Sequence, residues 1–547
     1  MRPAISSRLQ AVAILATVAT LGTGRFAQAQ DADQHSRKIE GLGRVSFQVS
    51  CSAEARRRFE HAMAVLHSFW WEEGDRAFGA VLEADPKCAM AHWGLALNAW
   101  GNPFAGGPGG AALRRGAEAA ERAAALPAPS RREQGFIAAA AALYRDAAAT
   151  SNAARLRAYA DTMTRLRRDF PNDTEIAIYY SLSVVATAPR TDTTFARQKL
   201  AAAILNPLFV RYPNHPGLAH YIIHSSDSPK LAALALDAAR RYAQIAPAAP
   251  HAQHMPSHIF VRLGLWDETV ASNWKSFMAG IAHARATGQA GGTSHELHAL
   301  DYAVYGYLQR GQDSSARATV ATGRELHIPP SQNTLVGDYN RTAMAARVPL
   351  ETGNWAAAAE FPLTVQPDLG VTAALSRFTR AIGAARSGRV GAARLEVAAL
   401  DAIAGELERR EEPYWPRVAA IKRDAAAAWL RLAQGDTAAA LALARTAADS
   451  EDVTDKHPVT PAELLPAREL QADMLLAARR YQEAREAYRL TLEREPGRAR
   501  SLFGLGRAAE LAGDRATATK AYQAYLQLMS KGDGKRPELA TARAFVR

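Results

Sequence analysis

"ARRYQEAREAYRLTLEREP" (478–496) and, one period further on, "AGDRATATKAYQAYLQLMS" (512–530) decide the fold of this chain. Superposition at an offset of 34 sets Ala484 on Ala518, Ala487 on Ala521, Tyr488 on Tyr522 and Leu492 on Leu526. Self-similarity at a fixed period of this length marks stacked supersecondary units, in which no helix buries its apolar stripe alone.

Working outward, Leu502, Leu505, Gly506, Ala509, Ala518 and Tyr522 follow the order apolar, Leu-Gly, small, Ala-x3-aromatic, and Pro496 stands where the preceding unit ends. This resembles the tetratricopeptide repeat (TPR). Small residues at Gly506 and Ala518 let two antiparallel helices approach, and the aromatic fills the gap to the next helix. Upstream, glycines recur as expected turns within helical hairpins, at Gly74, Gly264, Gly311, Gly353, Gly388, Gly435 and Gly513. A helix C-terminus that turns tightly needs a positive φ there. Pro86, Pro171, Pro213, Pro247 and Pro496 punctuate the exits, and Phe78 to Pro86 repeats the step from Tyr488 to Pro496. Almost no window alternates with period two, so strands are not expected.

The expected fold class is therefore all-α: a right-handed TPR-like solenoid of helical hairpins in one continuous array, about eight to eleven pairs from the repeat length. The boundaries read as a signal peptide (1–29), a lead-in (30–53), an irregular solenoid (54–326), further hairpins (327–449), a linker (450–466), a standard TPR pair (467–534) and a tail (535–547). Interrupting loops fall at 102–110, 327–334, 411–416 and 450–466.

Residues 1–29 read as an export signal, with Arg2 and Arg8 at the start, an apolar stretch from Leu9 to Gly22 too short to span a bilayer, and the small-x-small pattern Ala27-Gln28-Ala29. A periplasmic or secreted location follows, with no transmembrane segment after cleavage. Its removal takes three arginines and no acid, so the formal charge falls from +12 to +9. The remaining basic residues interleave with acids, as on solvated helix faces, which argues against nucleic acid as a partner. Cys51 and Cys88, the only cysteines, stand close to one repeat apart. A disulfide and two buried thiols are both compatible with that spacing.

Eight of the fifteen histidines crowd into the single window from His220 to His298. His220 and His224 lie at i, i+4 on a short helix. In "HAQHMPSHIF" (251–260), Pro256 is placed to open a helix and to push Met255 toward an extended conformation. His251 and His254 are then expected in the entering loop, with His258 on the first turn. A third helix, opened by a capping box of Thr293 and Glu296, carries His295 and His298 at i, i+3. The steps from His220 to His258 and from His258 to His298 are nearly equal and near one long repeat, so these pairs are expected to stack in one patch of groove. Imidazoles gathered so cost desolvation and mutual repulsion unless something organises them. His220, His224, His251, His254, His258, His295 and His298 are accordingly the expected metal ligands, for a transition metal such as zinc, copper, iron or nickel. A packed polar cluster without metal is the alternative.

The segment His254-Met255-Pro256-Ser257-His258 has no glutamate at the place a zincin requires and a proline in the way, so that mechanism is disfavoured; Glu296, Asp301, Asp227 and Tyr302 are the candidates for an acid or base. His283 reads as a surface residue. His67, Trp70, Trp71, His92, Trp93 and Trp100 read as hairpin packing, with Asn102-Pro103-Phe104 a loop within reach of a groove ligand. The stretches 66–97, 220–225, 251–266 and 295–311 make residues 60–310 similar to a group of exported bacterial TPR-containing proteins. That resemblance implies a periplasmic or surface solenoid and no particular reaction. Two functions follow: a scaffold, more naturally non-enzymatic, that holds a protein or peptide in its concave groove beside a His-rich metal site; or a metal-dependent enzyme or metal-handling protein centred on those histidines.

Overall fold

Gly506 lacks a side chain because the ring of Tyr522 occupies the place a Cβ would take, and Gly504 meets Tyr488 in the same way. The relation recurs near the other end of the chain: Gly94, sixteen positions after Phe78 as Gly504 is after Tyr488, lies against the Phe78 ring. The TPR contact of small residue against aromatic thus operates in the first hairpins as in the last. In this computed structural model, residues 39–289, 291–330, 334–363, 370–409 and 414–547 are described, and residues 39–547 form one unit. The expected signal peptide lies outside the described residues, as do parts of the loops at 327–334 and 411–416.

The chain is an all-α solenoid of helical hairpins from Ala53–His67 to Glu538–Val546, with no strand among the described residues. Each helix packs on the next and commonly on the one after it. Glycine turns with positive φ stand at Gly264, Gly311, Gly353, Gly388, Gly435 and Gly513. Gly74 is a correction: it lies within the helix Trp71–Ala84, where Asn98 fills the place of its Cβ, and the positive φ of that hairpin belongs to Phe69. Helices end just before Pro86, Pro171, Pro213, Pro247 and Pro496, as expected. Cys51 and Cys88 are joined in a disulfide that ties the start of the first hairpin to the start of the second. No helix among the described residues is long and apolar enough to cross a membrane.

In an open solenoid each repeat touches only its neighbours. Here the C-terminal repeats also return onto the middle ones. Trp266 donates to Gly497 O (3.0 Å), Ala499 N donates to Gln309 Oε1 (2.9 Å), and Arg536 pairs with Asp313 (2.6 Å). Fully buried Arg347 joins Asp301 (2.8 Å) to Thr460 Oγ1 (2.7 Å) and Ala462 O (2.8 Å). The segment 450–466 therefore does more than separate repeats: Lys456, Val459, Thr460, Ala462, Leu464 and Leu465 are buried in the seam.

Candidate metal centre

Three helices bring the histidines together. Pro216–Ser226 begins with Pro216 at its first position and His215 as N-cap, the His215 ring accepting from Leu218 N (3.3 Å). One face of it presents His220 and His224. The next segment corrects the expectation for His251 and His254, which lie on a short helix, Pro250–His254, that runs almost directly into Pro256–Arg262. Met255 is helical (φ −53°, ψ −35°) and not extended. A residue before proline is biased away from this conformation without being barred from it, and Pro256 itself fits a first turn. His254 and His258 consequently share a face at i, i+4. The third helix, Ser294–Gln309, starts with the expected Thr293–Glu296 capping box and carries His295 and His298.

The imidazoles form two groups of three. In the first, His220 Nε2 lies 3.1 Å from His224 Nε2 and 3.2 Å from His251 Nε2. In the second, His254 Nε2 lies 3.0 Å from His258 Nε2, and the His298 ring is 4.4 Å from that of His254. Each group has its three donor atoms within 4.8 Å of one another. Across the groups, His251 and His254 are 6.1 Å apart and His224 and His258 6.4 Å, centroid to centroid. His295 lies between them, 5.5 Å from His251 and 5.7 Å from His254, but joins neither donor set; its Nε2 is 3.0 Å from Ser276 Oγ.

The outer nitrogens settle where the protons are. His220 Nδ1 donates to His67 O (2.7 Å). His254 Nδ1 donates to Asn273 Oδ1 (2.6 Å), the amide being oriented by its own bond to Thr269 O (2.8 Å). His258 Nδ1 donates to Asp227 Oδ2 (2.8 Å). Arg262 (2.9 Å) and Lys456 (3.4 Å) face Asp227, and together with His258 they hold its carboxyl well below the usual range despite burial. Burial pushes His220 down to about 3, and drives His224, His251, His254 and His298 well below the ordinary imidazole value, with neighbouring rings adding to the effect. His258 is also lowered by burial, against the pull of Asp227. Neutral rings with Nδ1 protonated have a bare lone pair at Nε2. His254 and His258 therefore direct two lone pairs at each other across 3.0 Å with no proton between them.

A third cluster, which the sequence reading missed, has the opposite character. His67 Nε2 (3.0 Å) and His215 Nε2 (2.9 Å) meet the two oxygens of buried Glu175, and His67 Nδ1 meets Tyr221 OH (3.1 Å). Leu218 N–H fixes the His215 proton on Nε2, so every contact has one donor and one acceptor. This is a satisfied hydrogen-bond network that seats the helix Pro216–Ser226 on Ala53–His67. Glu175 and His215 carry no sequence signal beyond isolated positions, and His67 was absorbed into the aromatic packing.

The two tri-histidine groups border a cavity of about 910 Å³. His224, His251, His258 and His298 line it, whereas His220 and His254 are fully buried behind them. Phe104 stacks on His224 (4.2 Å, 20°) and Phe69 on His251 (5.5 Å, 25°), so the loop after Trp100 does reach the site. Trp93 is packing, as expected, while Trp70, Trp71 and Trp100 also face the cavity. His283 is not an isolated surface ring: it lies 3.1 Å from Glu73 Oε1 and edge-on to Trp70 (4.7 Å). Of the acid and base candidates, Asp301 pairs with Arg347, Glu296 bonds Thr293 N (2.6 Å) in its cap, and Tyr302 OH donates to Thr460 O (3.1 Å) over the His258 ring. His457, not singled out by spacing, reaches the cavity from the C-terminal seam.

No protein-family model and no curated protein matches the chain. Among solved structures, it is similar to human IFIT1 with m7Gppp-AAAA (11% identity, 89% of this chain and 92% of that one, TM-score 0.35). Yeast Tom70 (11%, 90% and 95%, 0.34) and the P58(IPK) TPR domain (12%, 68% and 98%, 0.21) are similar as well.

Proposed function

We propose that this protein binds a pair of transition-metal ions through His220, His224 and His251 and through His254, His258 and His298, and presents them to a small molecule in the adjoining cavity. The observation that carries this reading is the facing pair of lone pairs on His254 and His258, with both rings locked by Asn273 and Asp227. Nitrogens about 2.0–2.1 Å from one tetrahedral ion stand roughly 3.3 Å apart, close to the separations here, and a cation replaces repulsion by bonding. Anchored Nδ1 atoms are the outer partners that metal-bound imidazoles normally have.

Three protein nitrogens per ion leave a coordination position open, the arrangement of sites that act on a ligand and not of purely structural ones. With imidazole alone in the donor sets, copper and zinc are favoured over iron. His295 is placed in this reading as a ring between the two ions, tied to Ser276. A cavity of about 910 Å³ suits a small molecule better than an extended peptide. Export belongs to the same proposal, and the Cys51–Cys88 disulfide supports an oxidising compartment.

The test is elemental analysis of protein loaded with copper or zinc and dialysed without chelator. The expected result is about two ions per chain, falling to about one in His220→Ala and in His258→Ala with helicity unchanged. Less than about 0.2 equivalents in the unaltered protein overturns the reading.

A further inference from the structure

Two sets of aromatic residues, remote in sequence, line the cavity. Phe69, Trp71 and Phe104 come from the first hairpins, and Tyr339, Tyr414 and Trp415 from the later ones. Within each set the rings already touch: Phe69 tilted against Trp71 at 4.7 Å, Tyr414 edge-on to Trp415 at 4.9 Å, and Trp415 tilted against His457 at 5.0 Å. The sets come together where Phe104 and His457 share the wall.

Most of the charged side chains on the same wall are engaged with the protein, the exception being Glu72, whose carboxyl burial pushes up. Asp227 serves His258, Arg262 and Lys456; Asp455 serves Arg262 (2.8 Å); Glu296 serves Thr293; and Arg190 reaches Lys456 O (3.3 Å). Asn102 and Asn152 bond nearby backbone. Two isolated buried polar atoms on the wall, Ser228 Oγ and Gln198 Oε1, have no protein partner. A sugar or a polar peptide needs an array of unengaged donors and acceptors to replace the water it gives up. What this cavity offers instead is mainly ring faces and the imidazole floor, with scattered single polar groups at Glu72, Gln198 and Ser228 and no array of them.

We infer that the ligand is a small planar aromatic molecule bearing an oxygen donor, its ring held among Phe69, Trp71, Phe104 and Trp415 and its oxygen directed at the tri-histidine floor. This rests on the metal reading for the oxygen contact, while the preference for a flat ring rests on the cavity wall alone.

Benzoate and cyclohexanecarboxylate carry the same charge and donor group and differ in whether the ring is flat and aromatic. Calorimetric titration of each into the full-length protein, both metal-loaded and metal-stripped, separates the two ideas. Benzoate is expected to bind about tenfold tighter than cyclohexanecarboxylate, the scale of one to two good aromatic contacts. Trp415→Leu, which keeps apolar bulk but removes the flat face, is expected to cut that ratio to about threefold or less at unchanged metal content. If that variant misfolds, the comparison of the two acids on the unaltered protein decides alone. Affinities of the two acids within about threefold of each other, or no binding of either, overturn the inference even when two ions are bound. Failure to bind metal overturns the proposed function instead, and the ratio measured on the stripped protein then still tests the wall.

Discussion

His254 and His258 hold their Nε2 atoms 3.0 Å apart while Asn273 and Asp227 occupy the other nitrogen of each ring. Asn273 is fully buried, and its amide nitrogen is already spent on Thr269 O. Replacing it by alanine frees the His254 ring to change tautomer and tilt. Asn273→Ala is expected to weaken metal binding at the second group by about 10- to 100-fold, with occupancy recoverable at excess metal. Competition against a chelator of known affinity measures it; unchanged affinity would show the amide to be packing only.

The depressed histidines make stability depend on pH with a definite sign. An unfolded imidazole takes up its proton near pH 6.5, whereas the folded rings resist it, His220 down to about 3. Between those values the unfolded chain binds more protons, so stability of the metal-free protein falls as pH drops below about 6.5 and is fully present above it. Each ring held neutral contributes up to about 1.4 kcal/mol per pH unit in that window. Thermal melts from pH 7.5 to 4.5 should show a steep fall in Tm, and bound metal should move that fall to lower pH. A flat profile would mean that the rings are more hydrated than their burial indicates.

Rings from the two groups approach to 6.1 and 6.4 Å between His251 and His254 and between His224 and His258. Ions held in those two groups would lie close enough for their unpaired spins to couple through space. Protein loaded with two equivalents of copper(II) is expected to give a dipolar-broadened spectrum with a half-field transition. Two independent spins, with neither feature, would indicate separated sites.

Arg347 and Asp301 are both fully buried and tie the His-bearing helix Ser294–Gln309 to the segment that carries Thr460 and Ala462. Arg347→Ala leaves the buried Asp301 without its partner, and burial already pushes that carboxyl up. Removal of one member of such a pair typically costs about 3–5 kcal/mol. Chemical denaturation should register a loss of that size, and a loss below about 1 kcal/mol would show the seam to be hydrated.

The repeat period, the glycine turns and the proline exits made the solenoid legible, because helix packing writes itself into local sequence. The histidine patch was legible for the same reason: the two similar steps from His220 to His258 and on to His298 return side chains to equivalent positions on stacked helices. Contacts made across the array leave no such trace. Nothing local distinguishes Asn273 from any helical asparagine, and Glu175 meets His67 and His215 from a third helix. The return of the C-terminal repeats is written in pairs as remote in sequence as Arg536 and Asp313. Met255 shows the other limit, where a local bias before proline yields to a helix that is worth continuing.

Lys456, His457 and Val459 wall a chamber whose imidazole floor is complete by His298. A chain emerging from its N-terminus thus displays all six candidate ligands long before the residues that roof them exist. In the reading proposed above, a piece of the chain ending soon after His298 would carry every candidate donor and lack the wall, so the donors and the enclosure that limits access to them are set by different parts of the sequence.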